Sequence, residues 1–186
     1  MTIHGVHHTG IIVSDLDRSI AFYHDLLGFP FSSEPSPWFD GDELAQGVGV
    51  PNAKLRQCCL QVGPDTLELL EYANREPSDG PVHQNHLGAM HVAFRVDDVT
   101  KTVASLEAAG VEFLSGPHVV DDGVLAGWRW VYFHDPDGIP LELVEVAYTR
   151  PEERQAGIEA YLTARTAGAS AAHRSPSAST ETGATA

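Results

Sequence analysis

Cysteine is nearly missing. The 186 residues contain two, adjacent at Cys58 and Cys59. Neighbours on a strand point to opposite faces, so this pair does not readily bridge itself, and a disulfide framework is excluded. With two free thiols, and no basic stretch or small-residue cleavage site in MTIHGVHHTGIIV, a cytoplasmic protein is expected. A thiol nucleophile is disfavoured, because Arg56 alone stands near enough in sequence to favour a thiolate. Basic residues are scarce too: 11 Lys and Arg face 26 Asp and Glu, for a net charge of −15. Such a polyanion has no general electrostatic footprint for nucleic acid or an anionic membrane, and its charge reads as solubility. No apolar run approaches the ~18 residues of a membrane-spanning helix.

What the chain does have is an internal repeat. Residues 8–31 read HTGIIVSDLDRSIAFYHDLLGFPF and residues 91–114 read HVAFRVDDVTKTVASLEAAGVEFL. Each starts with a histidine on an alternating apolar segment. Each then has a valine (Val13, Val96), an aspartate (Asp15, Asp98), an amphipathic stretch and a glycine stop (Gly28, Gly110). The offset is 83 at the histidines and 82 at the glycines, so one residue is gained or lost inside the helix. A second pair closes each half: TLELLE at 66–71 and PLELVE at 140–145, with Glu68 and Glu142 in the same place.

Periodicity predicts strands over 5–13 and 90–97 and helices over 16–27 and 99–109, N-capped by Asp15 and Asp98. Further strands are expected near 29–33, 56–63 and 66–72, and again near 111–115, 128–134 and 140–147. Each half therefore reads βαβββ. The Pro- and Gly-rich, acidic stretch 33–52 is expected to be a long loop, and 135–138 (Asp-Pro-Asp-Gly) a tight turn. The domain spans 1–148, with modules at 5–73 and 90–148 and a linker at 74–89. A helix follows over 150–166, with Pro151 in its first turn. The Ala-, Ser-, Thr- and Gly-rich tail 167–186 is expected to be disordered.

Strand alternation puts His8, Gly10 and Ile12 on one face, and His91, Ala93 and Arg95 on the equivalent face of the second half. Glu68 and Glu142 sit inside apolar runs, where a carboxylate is costly unless something compensates. A single strand histidine is more often a hydrogen-bonded core residue than a ligand, and a single strand glutamate can simply face solvent, as Glu71 and Glu145 are read to do. Two of each at repeat-related places point instead to one divalent ion: Zn, Ni, Co, Mn or Fe. Arg95 reads as a partner in a rim ion pair. Trp128, Trp130 and Tyr132 read as core, and His83, His86 and His118 as loop residues.

The duplicated pattern, carried by HHTGIIVSDLDRSIAFYHDLLGF, DTLELLEY, GAMHVAFRVDDV and VYFHDPDGIPLELVE, resembles the vicinal oxygen chelate superfamily. That resemblance implies an α+β fold in which tandem βαβββ modules join edge to edge into a curved, half-open mixed sheet around the ion. It implies His8, Glu68, His91 and Glu142 as metal ligands, with His7 facing away. It also implies proton transfer α to a carbonyl of a small molecule through a metal-stabilised enediolate, with Glu142 as base and Glu68 as its partner on the opposite face. Two glutamates among the ligands favour the isomerase and epimerase branch over ring-cleaving dioxygenases, which use two histidines and one glutamate. The arginine and asparagine that glyoxalase I uses to contact glutathione are replaced by Ile12 and Tyr72. The sequence is similar to cyclitol epimerases of the 2-epi-5-epi-valiolone epimerase type. A glyoxalase-type lyase, a dioxygenase and a drug- or metabolite-binding protein are the alternatives. Members of the superfamily pair their modules within one chain or between two, and a homodimer is expected here.

Overall fold

A computed structural model of the chain describes residues 2–76, 83–122, 125–147 and 151–172, without the side chains of 151, 153, 154, 161 and 166–172. Nine strands and four α-helices are found among the described residues. They form two mixed sheets that are not closed, as an α+β fold of this kind requires.

The first sheet holds β1 (Thr9–Val13), β2 (Phe31–Ser33), β3 (Phe39–Asp40), β4 (Lys54–Val62) and β5 (Asp65–Tyr72). Its order is β1-β5-β4-β2, with β3 also on β4. The second holds β6 (Val92–Arg95), β7 (His118–Val119), β8 (Arg129–His134) and β9 (Pro140–Glu145), in the order β6-β9-β8-β7. β1 runs parallel to β5, and β6 runs parallel to β9. The parallel step needs a crossover, and a helix supplies it in each module. The strand expected over 111–115 reduces to a single bridge, Phe113 to Phe133.

The helix pair explains the missing residue in the repeat. In module 2, α3 (Val99–Ala108) is a regular helix whose N-cap Asp98 accepts from the Lys101 amide. In module 1, α1 (Leu16–Ile20), capped in the same way by Asp15, continues as a π-helical segment over Ala21–Leu26. The Leu27 amide reaches back five residues to the Phe22 carbonyl at 3.0 Å. A π turn absorbs one extra residue without ending the helix, which accounts for the offset of 83 at the histidines and 82 at the glycines. Gly28 (φ 80°) and Gly110 (φ 92°) end the two helices in the left-handed region, where glycine carries no Cβ penalty.

The core lies between the two sheets. Ile11, Val13, Leu67 and Leu69 of the first sheet and Val131, Phe133, Leu141 and Leu143 of the second belong to one buried cluster with the helix residues Leu16, Tyr23, Val99 and Val103. Two polar contacts tie the modules together. The fully buried Tyr23 donates to Asp135 Oδ2 at 3.0 Å. Asp137 accepts from the Ser14 amide at 2.9 Å and hydroxyl at 2.5 Å, and from Arg18. The Asp-Pro-Asp-Gly turn is therefore a plug in the β1–α1 corner as well as a strand connection.

Several expectations are corrected. The stretch 33–52 is not a bare loop: it holds β3 and α2 (Asp42–Val48), whose C-cap is Gly49 at φ 71°. Glu71 and Glu145 do not face solvent. Glu71 accepts from the Leu16 amide at 2.9 Å and from Arg56 Nε at 2.7 Å, and Glu145 accepts from the Val99 amide at 2.9 Å. Each neutralises the positive end of its module's helix. The last helix, α4, runs over Pro151–Ala172 and so continues past the expected end at 166. Residues 77–82 of the linker and 173–186 of the expected tail lie outside the described residues. No helix among the described residues is long and apolar enough to cross a membrane.

Candidate metal centre

Because the core takes one parity of each strand, the other parity is turned outward. In the first sheet the outward set is Gly10 and Ile12 of β1, Glu68, Leu70 and Tyr72 of β5, and Cys59 of β4, which pairs with Glu68. In the second it is Ala93 and Arg95 of β6, Glu142 and Val144 of β9, and Trp130 and Tyr132 of β8. Both histidines stand one residue before the strands expected to contain them, His8 before β1 and His91 before β6.

Each histidine meets its own module's glutamate. His8 Nε2 is 3.4 Å from Glu68 Oε2, and His91 Nε2 is 3.2 Å from Glu142 Oε2. Two donors in adjacent positions about 2.1 Å from a six-coordinate ion are separated by about 3 Å, so both pairs have the bite of a chelating half-site. The glutamates are largely shielded, with side chains 17% and 12% exposed, and the histidines are half open at 45% and 42%. Gly10 stands opposite Glu68: a Cβ there would press on Leu70 Cδ1 at 3.3 Å and meet Glu68 Oε2 at 3.7 Å, an ordinary contact.

The four residues do not converge within one chain. Among the described residues, no three His, Cys, Asp or Glu side chains are grouped to hold an ion. The single core explains why: it separates two sheets whose candidate faces both point away from it. β1 and β6 are also the outer strands of their sheets and do not pair with each other, so the expected edge-to-edge junction is not made within the chain. Exposed apolar residues stand just before each strand, Ile3 and Val6 ahead of β1, Leu87 and Met90 ahead of β6.

Other site predictions fare unevenly. His7 does not face away. Its Nδ1 lies 2.9 Å from His8 Nδ1, and the rings meet edge-on at 5.2 Å. Arg95 is exposed and has no ion pair among the described residues. Trp130 and Tyr132 are half-buried on the outward face and are not core. His118 is on β7 and stacks on Trp130 at 4.7 Å. The Tyr132 hydroxyl is 3.4 Å from His91 Nε2, and burial, then the charge and hydrogen bond of Glu142, push its pKa up to about 12. Two residues beside the glutamates were missed, Tyr132 and Cys59. Each is the cross-strand partner of a candidate ligand, which becomes visible only once register is known. Burial and then Cys58–Cys59 repulsion push Cys58 up to about 11, while burial and the Glu68 charge raise Cys59. Both shifts disfavour the thiolate. Arg56 favours neither, being bound to Glu71 and Asp17.

Along the outward face of the first sheet, a cavity of about 600 Å³ opens beyond the His8–Glu68 pair. Ile12, Val50, Pro51 and Tyr72 form its apolar wall, and Asn74, Arg75 and Glu76 bring polar groups. The Asn74 amide donates to the Pro51 carbonyl at 3.1 Å, fixing one side of the opening.

A profile of the Glyoxalase/Bleomycin resistance protein/Dioxygenase superfamily matches residues 5–143. The chain is 34% identical over 159 residues to 2-epi-5-epi-valiolone epimerase of an Actinomyces species, covering 84% of this chain and 87% of that protein. It is 29% identical over 164 residues to lactoylglutathione lyase of Schizosaccharomyces pombe, covering 82% of this chain and 51% of that one. Among solved structures, a glyoxalase family protein from Bacillus cereus superposes with a TM-score of 0.65 at 21% identity, over 78% of this chain and 96% of that chain.

Proposed function

The chain belongs to the Glyoxalase/Bleomycin resistance protein/Dioxygenase superfamily, and from that premise we propose that it is a metal-dependent epimerase moving a proton α to a carbonyl of a small polyhydroxylated ketone. The observation that carries this reading is the pair of His–Glu bites at repeat-related positions, His8 with Glu68 and His91 with Glu142. The donor set fits a divalent first-row ion: two imidazoles and two carboxylates, the latter shielded enough to need a cation. Such an ion, when held, acts as a Lewis acid that makes the neighbouring C–H more acidic.

One chain supplies two half-sites that face apart, so the proposal includes a homodimer. β1 of one copy lies alongside β6 of the other, and each complete site takes His8 and Glu68 from one copy and His91 and Glu142 from the second. Two-fold symmetry then produces two such sites. The arrangement covers the open edges at β1 and β6, which otherwise expose unpaired backbone groups, and brings together the exposed residues ahead of β1 and β6. Within the site, Glu68 and Glu142 approach a planar intermediate from opposite sides. One removes the proton and the other returns it, with Glu142 as the first base.

The epimerase relative favours a cyclitol-type ketone as substrate. A second reading, a lyase acting on a glutathione adduct, is favoured by Asn74 and Arg75. They place an amide and a cation in the cavity shared with Ile12 and Tyr72. Purified protein tested for bound metal, and then for deuterium wash-in from D2O next to the carbonyl of cyclic ketones, tests the proposal. Retained metal with exchange at that carbon supports it. Metal with no exchange, but turnover of the methylglyoxal–glutathione adduct, moves the assignment to the lyase.

A further inference from the structure

The two half-sites correspond residue by residue, so the walls of a completed site can be compared. In an antiparallel ladder a side chain shares its face with the residue directly opposite. It also shares it with diagonal neighbours about 7–8 Å away, within reach of long or aromatic side chains. Glu68 stands opposite Cys59, and Gln57, opposite Leu70, is its diagonal neighbour. Glu142 stands opposite Tyr132, and Trp130, opposite Val144, is its diagonal neighbour. Gln57 and Trp130 therefore hold the same place in the two modules, a carboxamide in one and an indole in the other.

The fold leaves both groups available. Each is half-buried on the outward face, and neither belongs to the core cluster. The Gln57 backbone is fixed by Ser36: its amide donates to the Ser36 hydroxyl at 3.0 Å, and its carbonyl accepts from the Ser36 amide at 2.8 Å. Its carboxamide, a donor and an acceptor, makes no hydrogen bond among the described residues. Trp130 is braced on one flank by His118, its partner on β7, which stacks on it at 4.7 Å with the planes 30° apart. Tyr132 meets it edge-on at 5.6 Å. Its other cross-strand neighbour is the short Val144, and no ring lies on that flank among the described residues. That is the β9 side, which carries Glu142.

An indole plane and a carboxamide on facing walls suit one class of ligand. The C–H face of a saturated ring packs flat on an aromatic plane, and its hydroxyls both give and take hydrogen bonds, which an amide matches in both directions. A linear peptide adduct offers no such flat apolar face. We propose that Trp130 and Gln57 are specificity-determining residues for a cyclic polyol ketone. Trp130 stacks on the ring beside Glu142 of one copy, and Gln57 bonds its hydroxyls beside Glu68 of the other. The proposal rests on the shared-site epimerase reading and goes beyond it by naming what selects the substrate.

The test is the affinity of the full-length, metal-loaded protein for scyllo-inosose, a polyhydroxylated cyclic ketone, by titration calorimetry. Zn2+ affinity and deuterium wash-in are measured beside it. Trp130→Ala is expected to weaken scyllo-inosose binding at least about tenfold, and Trp130→Phe, which keeps a ring, by about threefold or less. Gln57→Leu is expected to weaken it about three- to tenfold. Both Trp130→Ala and Gln57→Leu raise KM for wash-in more than they lower kcat, and Zn2+ affinity stays at its wild-type value. Wild-type scyllo-inosose affinity in either variant overturns the role of that residue, and a parallel loss of Zn2+ affinity overturns it as well. In both cases wash-in by the wild type leaves the epimerase reading standing. A metal-loaded wild type that neither binds scyllo-inosose nor exchanges its protons overturns both.

Discussion

Gly10 is the cross-strand partner of Glu68 on β1 and β5, and a Cβ at Gly10 would stand 3.7 Å from the glutamate's Oε2. The glycine is unusual in a strand, where a β-branched residue would be favoured. A Cβ there would meet the carboxylate at ordinary contact distance and press on Leu70 Cδ1 at 3.3 Å, so any branched side chain crowds both.

Gly10→Val therefore separates folding from function. Valine favours the strand, so the urea midpoint of the metal-free protein is expected to stay level or rise. The added methyl groups crowd Leu70 and Glu68, and metal affinity is expected to fall at least about tenfold. An unchanged metal affinity would show that Glu68 does not need the space.

Two glutamates three residues apart on β5 should respond in opposite ways. Glu71 caps α1 and binds Arg56. Glu71→Gln is expected to cost about 1–2 kcal/mol in urea unfolding, as charge-assisted bonds weaken, with metal retained. Glu68→Gln removes a shielded charge, so the metal-free protein should unfold at the same or a higher urea concentration while metal binding is lost. Equal effects of the two changes on metal content would contradict the assignment of faces.

The pH dependence of folding is set in part at the plug between modules. Burial alone would raise Asp137, but the hydrogen bonds from Ser14 and the Arg18 charge hold its carboxyl below the usual range. A lowered folded-state pKa contributes stability that is present above the unfolded value and lost as pH falls through the folded one. Asp137→Asn is thus expected to cost about 1–2 kcal/mol at pH 7, with the difference shrinking below about pH 4. Asp135 works the other way. Burial raises its carboxyl despite the bonds from Ile139, Tyr23 and Asp137, so its protonation as pH falls toward its unfolded value favours the fold. Urea midpoints of wild type and Asp137→Asn from pH 3 to 7 check the sign. A difference that grows toward acid pH would contradict it.

Much of this was legible in the sequence because a duplication repeats its signals. The two histidines, the two glutamates, the N-caps Asp15 and Asp98, and the glycine stops each appear twice in the same order. Even the π turn left a trace as the one-residue change of offset. Alternation predicted the shared face of Gly10 and Ile12, and that of Ala93 and Arg95. It did not predict that Glu71 and Glu145, at the rim of the inward face, would reach a helix N-terminus, because that depends on where the crossover lands. Tyr132 and Cys59 were hidden for a similar reason: strand register is a tertiary property, and nothing local marks which residue will oppose a ligand. The separation of the half-sites was hidden most completely. The same βαβββ pattern is compatible with modules joined through their edges or through a shared core, and the choice made here follows from Tyr23, Phe22 and Phe29 of module 1 packing toward Asp135, Phe133 and Phe94 of module 2.

The central claim is that one ion is held by His8 and Glu68 of one copy and His91 and Glu142 of another. The most direct measurement co-expresses two defective chains, His8→Ala/Glu68→Gln and His91→Ala/Glu142→Gln, and determines metal per chain in the purified mixture. Neither variant alone completes a site, but a mixed dimer has one intact site of its two. Random pairing therefore predicts about a quarter of the wild-type metal content, all of it in dimers. A wild-type protein that carries metal as a monomer, with no metal restored in the mixture, would contradict the shared site.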